Sequence, residues 1–285
     1  MEENNLWYGV SKAFLDKLAG EAAEKPAQTL AAAWDLIFGD FHTYVDKINW
    51  QRQQDFKNFK DSLLNEVEAI PEKNLQEPQL SLIGPALEST KFYIHDEELR
   101  DLFVNLISKS MDDRYNKEVN HAFVEIIKQM SPIDAYLIKK INTRVIPIAR
   151  YKASYNKGNL TLSDYTLLDD IFNSQEIQVS INNLRRLGIV ETPVFTSLTA
   201  ASLYDEFLKT REYYEHQQNN DIAKLHQSVK TLLSAYNNDI DLAIEKTSNS
   251  RETIEDALSY TGVTLDKSTI KLTQFGSAFY NVCVS

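Results

Sequence analysis

The chain has 285 residues, of which 43% are hydrophobic and 25% are charged, and its formal net charge is −11. This composition is typical of a globular protein and excludes intrinsic disorder, and no apolar run reaches the roughly 18 residues of a membrane span. The single cysteine, Cys283, excludes an intrachain disulfide framework and a cysteine-based zinc cluster. The N-terminus reads MEENN, which is unlike a secretory signal, so we expect a cytoplasmic protein.

The segment 1–70 is predicted to form amphipathic helices, because large apolar side chains recur in it every three or four residues. Leu30, Trp34 and Phe38 belong to one such series, and Phe56 and Phe59 to a second. Acidic residues between the apolar positions of the first series argue against an anionic membrane surface as partner. We therefore expect a helical layer whose aromatic faces lie in a core.

The segment 71–130 begins with a proline-rich connector and continues as helices. Pro71, Pro78 and Pro85 restrict the backbone, so an extended, ordered strap is predicted here instead of a helix. After it, the acids that follow His95 suit the positive end of a helix dipole and predict a helix start.

A third segment, 131–195, is predicted to form most of a winged helix–turn–helix domain. Ser131, Pro132 and Asp134 are an N-cap, a first-turn proline and a first-turn acid, which predict a helix start. A short edge strand over 145–151 and a short helix from Leu162 are expected to follow.

The stretch VSINNLRRLGIVE, residues 179–191, then has the pattern of a recognition helix that ends at Gly188 and continues into a wing strand. The missing last strand and closing helix are predicted within 263–285.

Between these parts lies an insertion, 196–262. Residues 194–261 contain neither glycine nor proline and show helical spacing, so we predict a helical hairpin with a break near Asn219 and Asn220. The expected fold is mainly α: an N-terminal helical region plus a C-terminal winged-helix-like α+β domain with an inserted helical hairpin.

Nucleic-acid binding is one hypothesis that this fold raises. Asn182, Asn183, Arg185 and Arg186 would face DNA bases, and five basic side chains could meet phosphates: Lys139, Lys140, Arg150, Lys152 and Lys157. However, the two winged-helix segments carry ten Lys and Arg against seven Asp and Glu, a net charge of +3, and the remainder carries −14. Such a weak positive charge favours protein docking over DNA binding.

Catalysis is a second hypothesis. Arg211 and His216, separated by four residues, match the spacing of a helical family of defence ribonucleases, in which His moves a proton and Arg steadies phosphate charge. Arg114 and His121 match too, but neither arginine is followed by the Asn or Asp common in that family.

Metal and cofactor sites are not predicted. His42 with Asp46, and His95 with Glu98, have helical spacing, but two ligands do not make a site. The sequence holds no phosphate-binding glycine loop, and Cys283 lies in an apolar stretch typical of a buried thiol.

Several motifs resemble the Abi-alpha family, a prokaryotic family named for abortive phage infection. The resemblance is carried by NLQEPQLSLIGPALESTKF, HDEELRDLFVNLISKSMD, HAFVEIIKQMSPIDAYLIKKI, SINNLRRLGIVE and LTQFGSAFYNVCV. It covers roughly residues 65–195 and the C-terminal stretch, whereas the N-terminal region and the insertion carry no motif of it. The resemblance implies a role in phage defence and supplies no catalytic motif.

Taken together, these patterns favour a non-catalytic defence sensor or effector that acts through a protein partner or self-association. The inserted hairpin is the expected contact surface, with Tyr213, Tyr214 and Tyr236 as its aromatic residues. The alternatives are a nucleic-acid-binding winged-helix regulator and an Arg-x4-His ribonuclease.

Overall fold

A computed structural model describes residues 24–38, 50–142, 144–156, 158–193, 197–235 and 238–285. The described chain is mainly helical with one small antiparallel sheet, as the mainly α prediction requires. No helix in these ranges combines the length and the hydropathy that a membrane-spanning segment needs.

The helices, in chain order, are α1 (Glu24–Phe38), α2 (Trp50–Glu68), α3 (Leu80–Tyr93), α4 (Glu97–Ser110), α5 (Ala122–Ile127), α6 (Pro132–Ile141), α7 (Ser174–Arg186), α8 (Arg211–Asn219), α9 (Asp221–Ala235), α10 (Ile240–Thr247), α11 (Arg251–Leu258) and α12 (Gln274–Phe279). The strands are β1 (Ile146–Tyr155), β2 (Gly158–Thr161), β3 (Val190–Glu191) and β4 (Gly262–Leu272). Shorter 3-10 segments cover Glu72–Asn74, Asp113–Tyr115 and Ala201–Lys209, and Tyr280–Val284 is a π-helix.

The chain divides into two compact units. The first comprises Met1–Thr143, Asn183–Val190 and Leu272–Ser285, and the second comprises Arg144–Asn182 and Glu191–Lys271. The predicted four-part domain division stays a prediction.

The first unit is built around α4, which packs against α2, α3, α6 and the C-terminal π-helix. Its buried face carries Leu102, Phe103, Leu106 and Ile107, all fully inaccessible to solvent. Four aromatic residues of α1 and α2 form a second part of the core, with ring centroids between 4.6 and 6.4 Å apart: Trp34, Phe38, Phe56 and Phe59. The predicted aromatic core is therefore present in the described N-terminal helices.

The predicted strap is correct only in part, because Glu72–Asn74 forms a 3-10 helix. The chain is extended around Leu75, which forms an isolated bridge with Asp112, but α3 begins at Leu80 and contains Pro85. The residue before a proline is normally kept out of the helical region by a clash with its Cβ. Gly84 has no Cβ, which explains why the helix can include this proline.

The predicted start of α6 is confirmed. The Ser131 side chain accepts from the Asp134 N–H, and the Asp134 side chain accepts from the Ser131 N–H, which is a reciprocal capping box. In α4 the cap is Asp96, which accepts from the Leu99 N–H.

Two glycines determine how α7 ends and what packs there. Gly188 has φ of +74°, and the N–H groups of Gly188 and Ile189 donate to Arg185 and Leu184, which is a Schellman motif. On α12, a Cβ added at Gly276 would lie 1.9 Å from the Ile189 oxygen, so only glycine fits at that contact.

The sheet of the second unit has the strand order β2-β1-β4-β3. β1 pairs antiparallel with β4 from Ile146–Ile270 to Ser154–Gly262. It is longer than predicted and lies inside the sheet instead of at its edge. The proline is tolerated because Pro147 precedes Lys152–Tyr155, the part of β1 that pairs with β2.

The helix predicted from Leu162 is absent. Residues 162–173, all of them described, form irregular structure, in which Thr166 bridges to Ala149. Since α7 is then a single helix between β2 and β3, the winged helix–turn–helix arrangement is not confirmed and stays a prediction.

The insertion contains more helical segments than a hairpin. The 3-10 segment Ala201–Lys209 packs on β1 through Tyr204 and Phe207, and α8 to α11 follow. The predicted break is confirmed, because α8 ends at Asn219 and α9 begins at Asp221. Helices α9 and α11 share a small core of Val229, Leu233, Ile254 and Ala257.

Candidate functional site

A cavity of about 800 Å³ lies entirely within the second unit, beside α8. Its walls come from the irregular segment 162–173, the first turns of α7, the end of the 3-10 segment and the start of α8. We call it the α8 cavity. Its polar lining residues are Ser163, Thr166, Asp169, Asn173, Ser174, Gln175, Gln178, Thr210, Arg211, Glu212, Glu215 and His216. Its apolar lining residues are Leu162, Leu167, Leu168, Phe172 and Phe207.

The start of α8 is anchored on β1 through a buried tyrosine. Thr210 caps the helix by accepting from the Tyr213 N–H at 3.1 Å, and its hydroxyl lies 2.6 Å from the Tyr151 hydroxyl. Tyr151 donates to the Phe207 carbonyl oxygen at 2.8 Å. Burial raises the pKa of Tyr151 to about 12, so the phenol stays neutral and serves as an anchor.

Two side-chain pairs, each one turn apart, arrange the charges on α8. Arg211 Nε lies 2.6 Å from Glu215 Oε1, and His216 Nε2 lies 3.7 Å from Glu212 Oε1. Glu212 Oε1 also accepts from Gln178 Nε2 at 2.9 Å. The other oxygen, Glu212 Oε2, is buried and has no hydrogen-bond partner among the described residues. The cavity wall therefore contains a carboxylate oxygen with unused capacity to accept hydrogen bonds.

The residues of the ribonuclease hypothesis, Arg211 and His216, line this one cavity. Their environments differ, since the Arg211 side chain is 91% exposed and that of His216 is 24% exposed. Each has a carboxylate one turn away, which competes with a phosphate for the same positive charge. The catalytic assignment stays a prediction.

Of the tyrosines proposed for partner binding, only two fall in the described residues. Tyr213 is half-buried, with its ring 6.1 Å from that of Tyr151, and its hydroxyl accepts from Gln217. Tyr214 is 54% exposed, and Tyr236 lies outside the described residues.

The side chains proposed to read DNA bases mostly have partners within their own unit. Asn183 Nδ2 donates to Asp134 Oδ2 at 2.9 Å and to the Gln129 carbonyl at 3.0 Å, and Arg186 donates to Asn183 Oδ1 at 2.8 Å. In the second unit, Asn182 donates to Asp164 at 3.0 Å. Arg185 is exposed.

The predicted phosphate contacts are also partly occupied. Arg150 and Lys152 bind the Asp266 carboxylate at 2.6 and 2.9 Å. Burial would raise the pKa of Asp266, but the hydrogen bonds from Lys152 and Arg150 outweigh it and hold this pKa below its ordinary value. Lys139 pairs with Glu98, and Lys157 lies outside the described residues.

We therefore expect no tight, salt-dependent binding to a random DNA duplex. The test is fluorescence anisotropy across a salt series, comparing the wild type with the double variant Arg185→Glu, Arg186→Glu. The matched control, Lys224→Glu with Lys230→Glu, reverses two exposed charges on α9. Binding that falls steeply with salt and is lost only in the α7 variant would contradict this expectation.

Comparison with known families shows which family the chain belongs to. The family profile described as abortive infection alpha matches residues 51–283. The chain belongs to this family. Its membership associates it with abortive infection, a defence against phage. No curated protein and no solved structure matches the chain.

The abortive infection alpha match is wider than the motifs in the sequence indicated. The matched range contains the whole 196–262 insertion. It also contains every residue that lines the α8 cavity. Sequence reasoning missed Glu212 and Gln178. The spacing of Glu212 and His216, one turn apart, was a local signal for their pairing, but Gln178 lies 34 residues away along the chain and gave none.

The second Arg–His pair considered for catalysis, Arg114 and His121, lies in the first unit. Arg114 Nε donates to Asp112 at 2.9 and 3.0 Å, and His121 Nε2 lies 3.0 Å from the Ser81 hydroxyl. Burial would raise the pKa of Asp112, but the Arg114 hydrogen bonds outweigh it and lower this pKa. The arginine is thus committed to a neighbouring carboxylate.

The remaining residues considered for catalysis or metal binding include Cys283 and the pair His42 and Asp46. Burial raises the pKa of the Cys283 thiol well above its ordinary value, which keeps the thiol protonated. No group of three His, Cys, Asp or Glu side chains suited to a metal ion occurs among the described residues. His42 and Asp46 lie outside them.

Proposed function

We propose that this abortive infection alpha protein acts in phage defence by binding a partner through its second unit, without cleaving nucleic acid. The α8 cavity is the proposed binding site, and the partner is another protein or a second copy of the chain. The role is that of a sensor or effector whose state changes when the cavity is filled.

The observation that carries this proposal is the pairing on α8. A ribonuclease needs Arg211 and His216 to stabilise negative charge on phosphate, but Glu215 and Glu212 lie one turn from them. Carboxylates at these positions repel a phosphodiester and neutralise the arginine. The same carboxylates suit a partner that presents hydrogen-bond donors.

Phage plaque assays on cells expressing variants separate binding from catalysis. We expect the purified wild type to leave RNA uncleaved, because the carboxylates one turn from Arg211 and His216 repel a phosphodiester. We expect Ser174→Trp to abolish protection, since an indole at this half-buried lining position obstructs part of the cavity without removing a charge.

The matched control is Ser228→Trp, which places the same side chain at an exposed helical serine on α9 outside the cavity. Loss of protection in both Arg211→Ala and His216→Ala, with folding intact and RNA cleaved by the purified wild type, would establish the ribonuclease alternative. Full protection by Ser174→Trp would exclude the α8 cavity as the binding site.

A further inference from the structure

The chemistry of the α8 cavity indicates what it binds, if the proposed binding function holds. Its lining includes the three carboxylates of Asp169, Glu212 and Glu215 against the single guanidinium of Arg211, a net charge of minus two with His216 neutral. Such a site attracts cations and repels phosphate or nucleic acid.

Glu212 lines the cavity and has an unsatisfied hydrogen-bond acceptor. Its side chain is 16% exposed, Oε1 accepts from Gln178 at 2.9 Å, and Oε2 is buried with no partner in the described residues. A buried acceptor without a donor destabilises the fold, and more so when it is charged. The terminal torsion of a glutamate is soft, so rotation of the carboxylate can turn Oε2 toward a donor in the cavity.

The remaining walls fit the uncharged part of a basic side chain. Leu162 and Phe172 line the cavity and are only partly buried, so they offer apolar surface to an alkyl stem. The cavity of about 800 Å³ exceeds what one side chain fills. On the segment that forms its wall, Leu168 is 36% exposed and Ile171 is 68% exposed, which leaves apolar surface for the backbone that carries the side chain.

We propose that the α8 cavity binds an arginine or lysine side chain of a partner polypeptide, with Glu212 as its charge partner. Gln178 is a positioning residue, because its amide holds Glu212 Oε1 and leaves Oε2 for the incoming donor. A bound guanidinium would also satisfy the buried oxygen, for which the described residues supply no donor.

The test uses fluorescence anisotropy with the full chain and a labelled hexapeptide carrying two central arginines. The comparison peptide carries citrulline, the neutral isostere of arginine. We expect the arginine peptide to bind at least about tenfold more tightly than the citrulline peptide. We expect Glu212→Gln to remove that preference, because it keeps the side-chain shape and removes the charge.

The matched control is Glu245→Gln, which removes the same charge from a position outside the cavity that is 73% exposed. It should bind the arginine peptide as the wild type does, whereas Ser174→Trp should not bind it. Thermal melts of all variants show whether each is folded. Free arginine and spermidine are added as competitors, and displacement at equal concentrations would replace the polypeptide source by a small organic cation.

Equal affinity for the two peptides, or unchanged binding by Glu212→Gln, would overturn the inference. If protection against phage is still lost in Ser174→Trp, the proposed function stands and only the ligand class is wrong. If Ser174→Trp protects fully, the proposed function itself fails.

Discussion

Replacing Gly276 by alanine is expected to unfold the first unit or to lower its free energy of unfolding by about 4 kcal/mol or more. The added Cβ would lie 1.9 Å from the Ile189 oxygen and 2.8 Å from the Ile189 carbonyl carbon, and backbone atoms cannot move aside as a flexible side chain does. The helical preference of alanine offsets this by only about 1 kcal/mol.

The neighbouring hydrogen bonds make that contact rigid. Thr273 N–H donates to the Ile189 oxygen at 3.0 Å, and the Thr273 hydroxyl donates to the Gly188 oxygen at 2.6 Å while accepting from the Gly276 N–H. Moving α12 and its cap Thr273 away to make room would break the two bonds to Gly188 and Ile189. The first unit therefore cannot accommodate the methyl group without losing these hydrogen bonds.

Circular dichroism melts and urea titrations measure the effect. The control is Gln274→Ala, an exposed position in the first turn of the same helix, which should stay within about 0.5 kcal/mol of the wild type. A melting temperature for Gly276→Ala within about 2 °C of the wild type would show that α12 does not pack on Ile189 as described.

Removing the carboxylate of Asp134 is expected to have the second-largest effect, a loss of about 2–4 kcal/mol in Asp134→Ala. The side chain is 1% exposed, and its Oδ2 accepts from the Ser131 N–H at 2.7 Å, the Ser131 hydroxyl at 2.9 Å and Asn183 at 2.9 Å. Alanine removes the one acceptor that these donors share. It also removes half of the capping box that starts α6.

Urea unfolding followed by tryptophan fluorescence gives the magnitude. Glu125→Ala is the control, because it removes a carboxylate that is 61% exposed and paired with Lys128, and its cost should stay below about 1 kcal/mol. Asn183→Ala should fall between the two, since it loses the bonds to Asp134 and Gln129 and an exposed one from Arg186 but keeps the capping box. Equal stabilities of Asp134→Ala and Glu125→Ala would contradict the role of Asp134 as a buried acceptor of three hydrogen bonds.

This second prediction also bears on the DNA hypothesis. The sequence shows Asn183 and Arg186 as polar residues on one face of a helix, which is what a recognition helix requires. In the fold that face meets Gln129 and Asp134, which lie about 50 residues earlier in the chain. A polar face is free for DNA only if no other part of the chain uses it, and local spacing carries no information on that point.

Features that depend on a few neighbouring residues could be predicted from local sequence. The capping box of Ser131 and Asp134, the end of α7 at Gly188 and the break after Asn219 all follow from local hydrogen bonds and backbone preferences. Family membership was also predicted from short motifs, because these motifs consist of such caps together with the apolar positions of the core.

Which residues face one another depends on tertiary packing. Val179 fits the apolar pattern of α7 yet is 65% exposed, because the core of the second unit selects Ile177 and Ile181 instead. The buried acceptor on Glu212 arises where α7 meets α8. Long-range packing sets these outcomes, since burial and partner atoms come from parts of the chain that no short window of sequence contains.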